Sequence, residues 1–429
     1  MPSGDRPDDE IAAVRALAEA QRTRALRQRT RLESDLESAR AYGAGRDRAL
    51  RQAREELARP LTSLAVRANW HLRRWRRVID ARILRRPAAP DARLPEGTSS
   101  KPIIAGGPRE RVAAVAVATD TGLKVALHIG PETWADAARW GDTAYAEGLG
   151  AALRRLGCEV TIHVRADADS PAARTADGAV HIVGLDAPDI HPGQPTVLWL
   201  ISHPDRISAR IADRYDSVLV ASETFAADLR ARVHVPVEVL HQAADTSRFY
   251  PDPTGPAHEL LFVGNSRNAR RPILDALSAT RHDLAVYGGG WRPDLIDPAR
   301  VRGDWIPNEE LRRYYSSAKI VLCDHWEDMR DEGFVANRVF DALACGAFVV
   351  SDHVLGIEDL FDGSVATFER PEDVPALVDE LLGRDDERRA RAERGRQVVL
   401  ERHTLDHRAR TIVDVIERIR ASKAGGGRA

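Results

Sequence analysis

The chain has 429 residues, 43% of them hydrophobic, with a formal net charge of −2. That length exceeds one ordinary domain and the apolar content can fill sizeable cores, so two or three globular domains are expected. The balanced charge gives no global nucleic-acid footprint; the scattered Cys158, Cys323 and Cys345, with no CxxC pair, exclude a disulfide framework or zinc module and fit a reducing compartment.

The first residues, MPSGDRPDDE, are acidic and lack an apolar core, so no signal peptide is expected. No apolar run reaches the roughly 18 residues a membrane span needs. Residues 9–58 contain no proline and carry Ile11, Val14, Leu17, Leu26, Leu32 and Leu36 near helical spacing. They predict a long helix or coiled coil, broken near Gly43, that offers a surface for self-association. After Pro60, residues 61–86 form a basic amphipathic helix carrying Trp70 and Trp75. Residues 1–95 hold 22 arginines against 13 acids. This arm is a candidate for contact with an anionic membrane surface or a partner helix. Nucleic acid is not an expected partner, because acids are interspersed and no reading motif is present. Residues 96–123 read as a linker.

From Lys124 the pattern changes. Short apolar runs predict strands at 124–129, 159–164, 179–183, 196–201, 217–221 and 237–240, with a helix over GDTAYAEGLGAALRRLG between the first two. A Pro/Gly break at 251–256 precedes further strands at 259–263, 284–288, 319–323, 347–351 and 365–368. Charged helices follow from Pro371 to about Ser422. This alternation predicts an α/β chain with two tandem parallel-sheet domains, 124–250 and 257–405, behind the helical arm. Ligands of such sheets bind beyond the strands' carboxyl ends, so polar residues just after strands are the candidates.

Gly264, Asn265 and Ser266 follow one strand, with Arg267, Arg270 and Arg271 at the start of a helix. Backbone N–H groups and arginines there would suit a phosphate, though a solvated basic turn reads the same way. Tyr287 and Gly288 open a glycine-rich turn that lets backbone approach a ligand. The loop 303–307 would lie beside the cleft, where a base could stack. In DEGFVANRVFDALACG, a helix is expected from about Phe334, with Asn337, Arg338 and Asp341 in its first turns. Arg338 suits a phosphate and Asp341 a ribose diol. In the first domain, Trp140-Gly141-Asp142 opens a helix and His203 follows a strand. Asp142 and His203 are the candidate acceptor-side groups or bases. His241 and Asp245 fall at the interdomain hinge.

The segments PTVLWLISHPD, YDSVLVASETFAADL, VEVLHQAADTSRFYP, LLFVGNSRNARRP and EGFVANRVFDALACGAFVVSD, in this order, resemble the GT-B glycosyltransferases, in particular the group described as spore-maturation-protein-like. The resemblance covers about 124–420. It implies two tandem Rossmann-like domains, an acceptor site in the first and a nucleotide-sugar donor site in the second. Arg267, Arg271 and Arg338 would hold the donor diphosphate, and Asp341 takes the place of the glutamate that binds ribose. Glu332 is the candidate contact to the donor sugar, although Glu332 and Asp341 are nine apart where related retaining families space two glutamates by eight. A final helix, 406–422, would cross back to the first domain. The implied reaction moves a hexosyl group from a nucleoside-diphosphate sugar, base unassigned, to a glycan, lipid-linked or protein hydroxyl of the cell envelope. Retention, no metal, no bound cofactor and a cytoplasmic location, peripheral to the inner membrane face, complete the expectation. A non-catalytic nucleotide-sugar-binding scaffold and a GT-B epimerase are the alternatives.

Overall fold

The computed structural model describes residues 121–137, 141–183, 194–266 and 268–426. The arm and nearly all of the linker therefore lie outside the described residues. No helix among the described residues is long and apolar enough to cross a membrane.

Runs such as TVLWL and GAVHIV are apolar on both faces, as strands covered by helices on both sides must be. They form a first sheet of β1 (Lys124–His128), β2 (Glu159–His163), β3 (Gly178–Val183), β4 (Thr196–Leu200), β5 (Ser217–Val220) and β6 (Val237–Val239). Its order is β2-β1-β3-β4-β5-β6, all parallel. The second sheet contains β7 (Leu260–Val263), β8 (Leu284–Tyr287), β9 (Val301–Gly303), β10 (Ile320–Cys323), β11 (Val349–Asp352) and β12 (Ala366–Phe368). Its order is β12-β11-β10-β7-β8-β9, again all parallel. Strand β9 has no counterpart in the sequence expectation. It is three residues long, Val-Arg-Gly, and is held as an edge by β8 across an irregular register.

The helices that position the cleft are α1 (Gly141–Arg155), α2 (Glu223–Arg230), α3 (Asn308–Ser317), α4 (Glu327–Asp331), α5 (Asn337–Ala344), α6 (Val374–Leu382), α7 (Asp385–Arg402) and α8 (Leu405–Gly426). Helix α5 starts at Asn337, not at Phe334 as the sequence suggested. Ala336 stays extended at φ −65°, ψ 143°, and Phe334 leaves the second domain altogether. With Met329 it joins the core around β4 and β5, where its ring meets Phe225 at 5.6 Å. Ser222 Oγ donates to the Glu332 carbonyl at 2.5 Å beside it.

The two domains are joined by two crossings that run side by side. Ala244 N–H donates to His403 O at 2.9 Å, and Leu405 N–H to Ala244 O at 3.0 Å. Helix α8 then returns to the first domain. Leu405, Ala409, Ile412, Val413 and Ile416 recur at helical spacing and fill the core beneath β1, β3 and β4. Arg408 pins both crossings, donating to the carbonyls of His241, Gln242 and Arg402. Burial lowers its pKa to about 10, so it remains a cation at neutral pH. Burial, then the Arg408 charge, lowers His241 to about 4 and His403 to about 3, so both rings beside it are neutral.

Replacing Phe334 by Ala should destabilise the protein by about 3–5 kcal/mol, the usual cost of emptying a buried phenyl site. Urea unfolding followed by tryptophan fluorescence would measure it. A loss below about 1 kcal/mol would mean that this segment does not anchor the domains to each other.

Candidate active site

A cavity of about 200 Å³ lies between the two sheets. Asp142, Tyr145 and Ile201 line it from the first domain, Gln242, Asp245 and Arg248 from the crossing, and Asn308, Tyr315, Asn337, Arg338 and Asp341 from the second domain. Of the sequence candidates, the structure thus brings Asp142, Asn337, Arg338 and Asp341 to one wall-to-wall space.

The start of α5 is set by a buried relay. Ala336 N–H donates to His325 Nε2 at 2.8 Å, and His325 Nδ1 lies 2.6 Å from Asp352 Oδ1. A ring that accepts at Nε2 carries its proton on Nδ1, so His325 donates to Asp352. Burial opposes the Asp352 charge, yet the His325 ring and backbone N–H hold its carboxyl below the ordinary range. The relay fixes the orphan N–H groups of α5 toward the cleft.

Arg338, in the first turn of α5, lies over the Phe262 ring at 5.1 Å. Its one side-chain hydrogen bond goes to Cys323 Sγ at 3.7 Å, and no carboxylate among the described residues pairs with it. A Cβ at Gly264 would come within 2.7 Å of its Nη2, so the bare glycine gives the guanidinium room in this position. An unpaired guanidinium at a helix N-terminus, on a cavity wall, is equipped to receive a bidentate anion.

Arg271 corrects the expectation that it holds a diphosphate. It and Asp324 are both buried, and its Nε lies 2.9 Å from Asp324 Oδ1 while Nη2 reaches the Asp324 backbone at 3.1 Å. The guanidinium is stacked between Phe262 and Trp326, 5.3 Å from each ring. Its Nε and Nη2 are engaged in a structural ion pair. Arg267 lies outside the described residues.

The turns after β7 and β8 lace together. Asn265 Oδ1 accepts from Gly289 N–H at 2.8 Å, and Ser266 Oγ donates to Gly290 O at 2.5 Å. Gly288 has φ 144°, and a Cβ there would meet Gly264 O at 2.2 Å. Asn265 Oδ1 and Ser266 Oγ therefore brace the turns. Tyr287 is also core: its hydroxyl meets His258 Nε2 at 3.2 Å and its ring packs on Tyr314 at 5.1 Å.

Two catalytic candidates fall away from the cavity. His203, held at φ 49°, places Nδ1 3.1 Å from Asp328 Oδ2 of the second domain. Asp205 joins them, its carboxyl raised by burial and by the Asp328 charge. This is an interdomain latch rather than a cleft base. Glu332 caps α4 and meets the first domain through its carbonyl, off the cavity wall. The sequence reading overlooked Tyr145 and Arg248. Tyr145 falls among the apolar residues of α1, and its hydroxyl accepts from Ala243 N–H at 3.2 Å. Arg248 follows the noticed HQAAD block and donates to Ala144 O at 3.2 Å.

Asp341 Oδ2 accepts from Asn337 Nδ2 at 2.8 Å, while its buried Oδ1 has no partner among the described residues. Burial, then the charge of Asp245, raises its pKa well above the ordinary value. The folded state therefore keeps a proton that the unfolded chain releases. Stability is full below the ordinary carboxyl range and falls as pH rises toward the raised pKa. Asp341→Asn should thus be more stable than the parent at neutral pH by about 1–3 kcal/mol, the cost of an unsatisfied buried acceptor. The gain should vanish toward pH 3–4, near the unfolded carboxyl pKa. Denaturation at several pH values tests this; a difference independent of pH would refute the buried-acid assignment.

Residues 267–414 match a family model described as "Glycosyl transferase-like". No curated protein matches the chain. Among solved structures, sucrose-phosphate synthase from Thermosynechococcus elongatus is similar at 15% identity and TM-score 0.51, over 70% of this chain and 100% of that one. An α-glucosyltransferase in complex with UDP-glucose and abasic DNA is similar at 11% identity and TM-score 0.50, over 69% and 99%. Residues 267–414 are thus similar to the glycosyl transferase-like family, and the two tandem parallel sheets form a GT-B fold.

Proposed function

We propose that the protein transfers a glycosyl group from a nucleoside-diphosphate sugar to an acceptor hydroxyl. The observation that carries this reading is Arg338, a cation on the wall of the interdomain cavity with no carboxylate partner among the described residues. The UDP-glucose named for the similar α-glucosyltransferase supports the same donor class. Arg338 and the α5 N-terminus would hold the diphosphate and stabilise the charge that grows on it as the glycosyl bond breaks. Asp341 and Asn337 offer a buried carboxyl oxygen and an amide oxygen without partners among the described residues, suited to the ribose hydroxyls. Asp142 stands on the opposite wall, where an acceptor hydroxyl would approach and lose its proton. The interlocked domains exclude the water that would otherwise hydrolyse the donor. Hexosyl transfer with retention, without a metal, to a cell-envelope glycan at the cytoplasmic face is the finer form of the proposal. It rests on the sequence resemblance.

The test is a panel of UDP, GDP, ADP and dTDP sugars with the full-length protein, read as nucleotide release and as heat of binding. One donor class should turn over, and Arg338→Ala should lower its kcat/KM roughly 10²–10³-fold, as loss of an electrostatic stabiliser does. Binding without any release or transfer would favour the scaffold reading. No binding by any nucleotide would overturn the donor site itself.

A further inference from the structure

Three side chains of metal-ligand type meet outside the cavity, where the two domains face each other. His203 Nδ1 lies 3.1 Å from Asp328 Oδ2, and one donor atom each of His203, Asp205 and Asp328 all fall within 4.8 Å of one another. His203 and Asp205 come from the turn after β4, and Asp328 from α4 after β10. Both strands are central in their sheets, so the cluster bridges the middles of the two domains. The His203 and Asp328 side chains are only 9% and 16% exposed, while Asp205 reaches the surface.

Two carboxylates in contact across a domain boundary repel each other, and a single imidazole stands with them. Burial and then the Asp328 charge raise Asp205, and Arg206 and His203 offset this only in part. One oxygen is also left over. Asp328 Oδ2 takes His203, but its buried Oδ1 has no hydrogen-bond partner among the described residues. A buried carboxylate oxygen without a donor is costly, and a cation satisfies it as a donor would. The arrangement is held in place by packing that does not depend on the cluster. Met329, the next residue, is buried with Phe334 in the core of the first domain, which keeps Asp328 against His203. The spacing suits a metal shell as well. Two donors on a tetrahedral zinc, each about 2.05 Å from the ion, stand about 3.3 Å apart, close to the 3.1 Å between His203 and Asp328.

We infer that His203, Asp205 and Asp328 bind a divalent transition-metal ion that clamps the two domains together. One imidazole with two carboxylates suits zinc or manganese better than magnesium or calcium, which prefer all-oxygen shells. Three protein ligands leave a position for water on the open Asp205 side. None of the three residues lines the cavity, so the ion holds the domains against each other and takes no part in glycosyl transfer.

Calorimetry and thermal melting of the full-length protein, stripped with EDTA and titrated with Zn²⁺, Mn²⁺, Mg²⁺ and Ca²⁺, test it. Zn²⁺ or Mn²⁺ should bind and raise the melting temperature, with Mg²⁺ and Ca²⁺ weaker. Asp205→Asn, a change at the surface, should weaken the transition ion at least about 10-fold, the loss that even an outer-shell partner causes. His203→Asn should do the same, since asparagine tolerates the left-handed backbone there. Hydrogen exchange at 203–206 and at 327–331 should slow together when the ion binds, because the clamp spans both domains. Unchanged ion affinity in both variants would put the ion elsewhere and overturn the site, as would a parent that binds neither transition ion. Slower exchange in only one of the two segments would overturn the clamp.

Discussion

The cleft exists because two passages of chain between the domains are tied to each other. Ala244 shares both of its backbone groups with the 403–405 passage, and Arg408 then gathers carbonyls from both sides. A guanidinium buried beside two neutral imidazoles is an expensive anchor, since no carboxylate among the described residues compensates it. Its donors instead find carbonyl dipoles of His241, Gln242 and Arg402, which strengthen as water is excluded. The same crossing supplies Gln242, Asp245 and Arg248 to the cavity wall. Gly148 of α1 lets Asp245 sit close: a Cβ there would stand 2.8 Å from the Asp245 carboxylate. Hinge and site are therefore one structure, and the hinge cannot be redrawn without moving the cleft.

Arg271 and Arg338 show how the second domain separates architecture from chemistry. Both lie over the Phe262 ring, Arg271 from the start of the helix after β7 and Arg338 from the first turn of α5. Asp324 neutralises the first in a buried fork that ties the helix after β7 to the end of β10. Breaking such a pair leaves an uncompensated charge, so it holds geometry without being free to bind. Arg338 has the same aromatic support and no such partner. The difference lies in one carboxylate, and it decides which arginine can meet an anion.

That distinction was not legible in the sequence. GNSRNARRP offered three arginines after a strand, and nothing local tells which would find a carboxylate some fifty residues on. The parallel sheets were legible, because runs such as TVLWL and KIVLC are apolar on both faces. Arg338 and Asp341 were legible as a pair by helical spacing. Tyr145 was not, since a tyrosine among alanines and leucines reads as core. His203 was misread because a histidine after a strand was placed facing the cleft, whereas its left-handed backbone turns it onto Asp328 of the other domain. Three-residue β9 lacks the apolar run that marks a strand.

The segment that opens α5 does two jobs with opposite demands. Phe334 and Met329 must leave their own domain to be buried in the other, which requires extended chain up to Ala336. Arg338 and Asp341 must face back toward the cavity, which requires helix from Asn337 onward. The His325–Asp352 relay resolves the conflict at the last extended residue, by holding the Ala336 N–H where strand-like chain becomes helix. Domain contact and the proposed anion site are thus coupled over four residues of backbone. Any hinge opening that withdraws Phe334 from Phe225 pulls on the turn that aims Arg338. Conversely, an anion that draws the α5 N-terminus and Arg338 together favours the arrangement in which Phe334 is seated. Ligand binding and domain closure then share one equilibrium, and differential affinity for the closed form is what would shift it.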